Sequence, residues 1–126
     1  MQANIQPREL EATAITLVNY SKALYNEDNK ALTAAYKLDF RTLNDAATRL
    51  LRQIRKDEQL PAIDTDILER KQLRHELRNI LNLVVGFSQM ILREGDKSPL
   101  TMLQYATMQS IHLTGKKLLT LVDDIR

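Results

Sequence analysis

Leu73, Leu77, Ile80, Val84, Phe87 and Ile91 recur at intervals of 4, 3, 4, 3 and 4. Apolar residues at that rhythm form a seam along one side of a helix, and such a seam is stable only when packed lengthwise against other helices. Further along, Met108, Ile111, Gly115, Leu118, Val122 and Ile125 repeat at 3, 4, 3, 4 and 3. Between the two seams lie Gly95, suited to close a helix, and Ser98-Pro99, suited to open the next as N-cap and first helical residue. The spacing therefore predicts a helical hairpin with two complementary seams.

The first half carries a second pair of amphipathic stretches. Pro7 suits a first helical position, and Glu9 and Glu11 favour the positive end of the helix dipole. Leu10, Ala14, Leu17, Ser21 and Leu24 then share one face, widened by Ile15, Val18 and Tyr25, so a helix is predicted over 7–26. After the polar break Asn26-Glu27-Asp28-Asn29, a stripe of Leu32, Tyr36, Phe40, Leu43, Ala47, Leu50 and Ile54 predicts a helix over 30–58. Leu60-Pro61-Ala62 interrupts the pattern, and Asp64, Thr65 and Asp66 offer caps for the next helix. The chain divides on this reading into a hairpin over 1–60 and another over 61–126. The expected fold is all-α, two hairpins in an antiparallel four-helix bundle. Dimerisation is expected to complete it, because a lone hairpin cannot bury both its seams. Gly86, inside a predicted helix, is read as a point of close helix approach. Tyr20, Tyr25, Tyr36, Phe40 and Phe87 are assigned to the core, and His112 to the surface.

Composition narrows the chemistry. The chain of 126 residues has no Cys, which excludes disulfides and thiolate metal sites and fits a reducing cytoplasm. No stretch approaches the length of a membrane-spanning helix, and Met1-Gln2-Ala3-Asn4 lacks the features of a signal peptide. A net charge of +2 calls for no nucleic-acid partner, and the basic stripes lack interleaved aromatics. The end, Leu121-Val122-Asp123-Asp124-Ile125-Arg126, keeps its apolar rhythm without a stop signal, as a fragment of a longer protein would.

With Leu77 at heptad position a, His75 falls at f, on the side away from the seam. Glu76 is beside it, and Asn79 lies one turn further along the outer side. On heptad position alone, the favoured reading of His75 is a solvated surface histidine. An imidazole is nevertheless nucleophilic while neutral, without needing a strong base. A zinc-protease reading fails, because a second histidine four residues on would be needed and position 79 is Asn.

His75-Glu76-Leu77-Arg78-Asn79, followed by Leu81, Val84, Val85 and Gly86-Phe87, resembles the phosphoacceptor box of bacterial sensor histidine kinases. Leu118-Leu119-Thr120-Leu121-Val122-Asp123-Asp124-Ile125 is similar to the ending of that family's second helix. The resemblance covers about residues 64–126 and implies a dimerisation and histidine-phosphotransfer hairpin. It implies His75 as phosphoacceptor, Glu76 as the carboxylate that fixes its tautomer, and Asn79 as a water-orienting group. Arg74, Arg78 and Lys71 would attract phosphate or a receiver face.

Two departures matter. Ile80 stands where many members have proline, implying a straighter helix. The ATP-binding boxes are missing, so ATP and magnesium would act only through a separate kinase domain, in cis or trans. Whether the chain is itself an enzyme stays open. The expected partners are a second copy, a response-regulator receiver and that kinase domain. A structural dimerisation or signal-relay module is the alternative, and an adaptor with helical binding grooves is a third reading. Asp39-Phe40-Arg41-Thr42 echoes the box in type, but Leu38 replaces the histidine, and chance accounts for four such residues.

Overall fold

The computed structural model describes residues 7–58 and 67–125. Four helices make up the fold: α1, Pro7–Asn26; α2, Ala34–Glu58; α3, Ile67–Leu92; and α4, Met102–Asp123. Helix α1 packs on α2 and α4, and α3 packs on α2 and α4, so the four close into a square bundle. The two hairpins share one core rather than each keeping its own.

The predicted seams form that core. Leu77, Ile80, Val84 and Ile91 of α3 are buried, with Leu73 and Phe87 partly so. Met108, Ile111, Gly115, Leu118 and Val122 of α4 are buried. Leu10, Ala14, Leu17, Ser21 and Leu24 of α1 meet them, as do Phe40, Leu43, Ala47, Leu50 and Ile54 of α2. Each fully buried Leu, Ile or Phe contributes about 1.5–3 kcal/mol relative to exposure, which favours the closed bundle over separate hairpins. The reason for expecting a homodimer, burial of both seams of α3 and α4, is thus met inside one chain.

Helix ends account for most of the differences from expectation. Helix α2 begins at Ala34, not 30, because the Asn29 side chain turns the chain locally by accepting the Ala31 N–H at 3.0 Å. The Thr33 hydroxyl then accepts the Tyr36 N–H at 3.3 Å, and buried Leu32 sits outside the helix. Helix α3 ends at Leu92, and Gly95, with φ +51°, opens a single 3-10 turn over Gly95–Lys97. Helix α4 is capped by Thr101 rather than Ser98. The Thr101 hydroxyl accepts the Gln104 N–H at 3.0 Å and the Gln104 side-chain oxygen accepts the Thr101 N–H at 3.1 Å. That reciprocal capping box satisfies two donors at once, which Ser98, bonded to the Leu100 N–H, does not. The caps expected at Asp64–Asp66 and the break at Pro61 lie outside the described residues.

Three further expectations are corrected. Tyr25 is 46% exposed, because its position on α1 lies off the buried face, whereas Phe40 is in the core. Gly86 is exposed, and a Cβ there would meet nothing within 4 Å. The close approach falls at Gly115, where a Cβ would come within 3.0 Å of Val85 Cγ2. His112 is half-buried between α3 and α4, with Nδ1 2.9 Å from the Oγ of fully buried Ser88. Ser88 also bonds the Val85 carbonyl at 3.0 Å. A hydroxyl has one proton, so if Val85 receives it, the imidazole donates to Ser88.

The connections at one end of the bundle interlock. Asn29 Nδ2 donates to Gln104 Oε1 at 2.7 Å and to the Pro99 carbonyl at 3.1 Å, and Thr101 Oγ1 donates to Glu27 at 2.8 Å. Tyr36 donates to the Glu94 carboxylate and stands edge-on to Phe40. Burial and then Glu94 raise the Tyr36 pKa to about 12, and the same two influences raise that of Asp39. These contacts set the two hairpins in register, with the box half of α3 leading toward the opposite end.

Candidate functional site

Helix α3 runs without interruption through Ile80, the place where a proline would have bent it. Ile80 is instead buried in the seam at 5% exposure. The seam fixes the rotation of α3 about its axis, and that rotation sets what the third turn presents. Leu77 faces the core, so His75, two residues earlier, points to solvent and is exposed. Asn79, one turn on, is exposed on the same outer side. The geometry predicted for these two side chains is the geometry observed.

Glu76 stands differently. It is half-buried and makes no hydrogen bond to His75 in this structure. Successive helical residues diverge by about 100°, so adjacency in sequence does not bring the carboxylate onto the imidazole. Among the described residues nothing hydrogen-bonds to His75, leaving its ring nitrogens open to a reactant.

The three cations flanking the box divide into two kinds. Lys71 is exposed and has no ion pair among the described residues. Arg74 Nη1 donates to the Ile125 carbonyl at 2.7 Å, and Arg78 pairs with Asp123. Both arginines therefore tie the box turn to the end of α4. Neither arginine is free for phosphate, contrary to expectation, because Ile125 and Asp123 already hold them. The available signal was the antiparallel register of the hairpin, which sets the Asp123-Asp124 end of α4 against the start of α3.

Elsewhere the surface offers little chemistry. Among the described residues, no three histidine or carboxylate side chains converge to hold a metal ion. A shallow basic recess on α2 is lined by Thr48, Leu51, Arg52, Arg55 and Lys56, with Arg55 committed to Glu11 at 2.8 Å. No helix among the described residues is long and apolar enough to cross a membrane.

The family model of the His Kinase A (phospho-acceptor) domain matches residues 71–126. That span takes in α3 from its second turn, the 3-10 turn and all of α4, and it leaves α1 and α2 outside. No curated protein and no solved structure matches the chain.

Proposed function

We propose, taking the match of residues 71–126 to the His Kinase A phospho-acceptor domain as premise, that His75 accepts a phosphoryl group and passes it to a receiver domain. The single observation that carries this reading is the exposed, unbonded imidazole of His75 on the outer face of an uninterrupted helix. Nothing has to move before a phosphorus atom approaches Nε2 in line. Asn79, exposed one turn away, orients a water without repelling the phosphoryl group. Glu76 takes up its tautomer-fixing role only after its side chain turns toward Nδ1, a tightening that catalytic contacts often undergo when a reactant binds.

The phosphoryl donor is an ATP- and magnesium-bearing kinase domain, in cis or trans, and the acceptor is a response-regulator receiver, both in the cytoplasm. Lys71 is the cation available to meet an anionic partner face. A second copy of the chain joins through surfaces other than the α3 and α4 seams, which α1 and α2 already cover. Incubation with kinase domains, or with phosphorylated receivers, tests the reading. Acid-labile label on the wild type and none on His75→Ala is the expected result.

One observation favours the structural relay instead. Arg74 and Arg78, the cations nearest the histidine, are engaged with the end of α4. A module that only transmits helix movements would keep those ties and leave His75 unlabelled with every donor.

A further inference from the structure

Two ties hold the end of α4 to the box turn, and they differ in strength. Arg78 and Asp123 are side chains 42% and 51% exposed, so solvent screens their attraction and the pair is easily exchanged. The Arg74 bond to the carbonyl of Ile125, just past the end of α4, is partly buried and is less screened by solvent. His75 and Arg78 are three residues apart on α3, which makes them neighbours on the helix surface, with Cβ atoms about 5–6 Å apart. Arg74, adjacent to His75 in sequence, points elsewhere.

We propose that Arg78 is a two-position side chain. It holds Asp123 while His75 is unmodified and turns to the phosphoryl group when His75 carries one, releasing the last turn of α4. The inference rests on the reading of His75 as phosphoacceptor. In the transfer, an Nε2–P bond forms as the donor's bond to phosphorus breaks, the leaving group keeps that electron pair, and the ring's Nδ1 proton passes to solvent. His75 thereby gains a group with roughly two negative charges and three acceptor oxygens, as phosphorylated side chains do. Asp123 offers one charge and two oxygens. A guanidinium fork pairs with either, and the more highly charged partner on the same helix wins. The freed Asp123 is also repelled by the new dianion. Of the two polar ties to the box turn, the Arg74 bond then remains beside the core packing of Leu118 and Val122, so the final turn of α4 reports whether His75 is phosphorylated. Linkage makes the effect reciprocal: a tie that phosphorylation weakens also opposes phosphorylation.

Phosphoramidate, whose P–N bond breaks as ammonia leaves, is the probe for the full chain. Intact mass follows phosphoryl uptake, with His75→Ala as the control for label at His112, and amide hydrogen exchange is read over residues 118–125. Phosphorylated wild type is expected to exchange several-fold faster there, with no change over residues 77–91. Arg78→Gln should exchange fast from the outset and gain nothing on phosphorylation. Asp123→Asn should take up the phosphoryl group faster or hold it longer. His75→Glu, which places a fixed carboxylate beside Arg78, should accelerate exchange over 118–125 without any donor. Unchanged or slower exchange in phosphorylated wild type overturns the proposal. Should no phosphoryl group reach His75, the phosphoacceptor reading fails, and His75→Glu then decides the exchange of partners: unchanged exchange over 118–125 in that variant overturns it as well.

Discussion

Gly115 of α4 faces Val85 of α3 so closely that a Cβ at 115 would come within 3.0 Å of Val85 Cγ2 and 3.5 Å of Val84 Cγ1. Valine is stiff at χ1, so it yields poorly to an intruding atom. Gly115→Leu should therefore destabilise the bundle by about 1–3 kcal/mol through overpacking. Gly86 provides the opposite case on the neighbouring helix, exposed and with open space around its missing Cβ. Gly86→Ala should stabilise by about 0.5–1 kcal/mol through backbone entropy alone. Urea denaturation of both variants checks the pair, and equal effects of the two would mean that the α3–α4 contact is placed wrongly.

A charge in either seam should be far more damaging. Val84 is 1% exposed and Leu118 fully buried. A carboxylate at either place is buried without a partner, at a cost of several kcal/mol, comparable with the whole stability of a small domain. Val84→Asp and Leu118→Asp should lose the cooperative thermal transition followed by circular dichroism. A melt equal to wild type would show that the buried face is misassigned.

The bundle end that carries Tyr36 and Glu94 should respond to alkali. A phenol whose pKa is raised from its ordinary 10.0 to about 12 binds its proton more tightly folded than unfolded. Its contribution to stability is complete below pH 10 and is lost as pH rises from there through about 12. Tyr36→Phe should cost about 1 kcal/mol at neutral pH, from the lost bond to Glu94, and should flatten the alkaline decline. Asp39 is raised too, by burial first and then by Glu94. Its favourable term is therefore present in acid and is lost as pH climbs through its folded pKa. Asp39→Asn should be neutral or stabilising at pH 7, and a clear loss of stability there would contradict the cause assigned to the shift.

The intramolecular core makes a prediction about assembly. Helices α1 and α2 cover the sides of α3 and α4 that a lone hairpin would leave bare. Light scattering of the full chain should find no assembly that depends on those seams. A piece covering residues 60–126 should pair with itself, because two copies then rebuild the four-helix core. A monomeric, folded 60–126 piece would show that its seams need no cover.

The seams were legible because a 3,4 spacing has only one structural meaning, and His75 was placed correctly because heptad position follows from it. Side-chain bonds that cross from one helix to another were not legible. Ser98-Pro99 is a sound local start signal, but Thr101 wins as cap because Gln104 lies three residues on and completes the box. Gly86 and Gly115 look alike in a string, and only the crossing of α3 over α4 distinguishes them. Arg74 and Arg78 look like free cations until the end of α4 is laid against them. The intramolecular bundle depended on which faces of the two hairpins meet, a choice that two sets of similar apolar stripes leave open.

The box itself separates structure from chemistry. His75 is exposed and makes no bond among the described residues, so His75→Ala removes no packing and should leave helicity and melting temperature within experimental error of wild type. It should nevertheless abolish acid-labile phosphorylation, because the only other histidine, His112, is half-buried with Nδ1 bonded to Ser88. If Asn79 orients a water as proposed, Asn79→Ala should keep phosphate acceptance and slow the dephosphorylation of a partner receiver. If Glu76 fixes the tautomer as proposed, Glu76→Ala should slow phosphorylation without unfolding the bundle. Stopped assays with labelled kinase domain and receiver separate the three rates. A His75→Ala protein that still takes up acid-labile label would remove His75 from the site. Wild type left unlabelled by every donor would favour a relay that works through the α3–α4 ties alone.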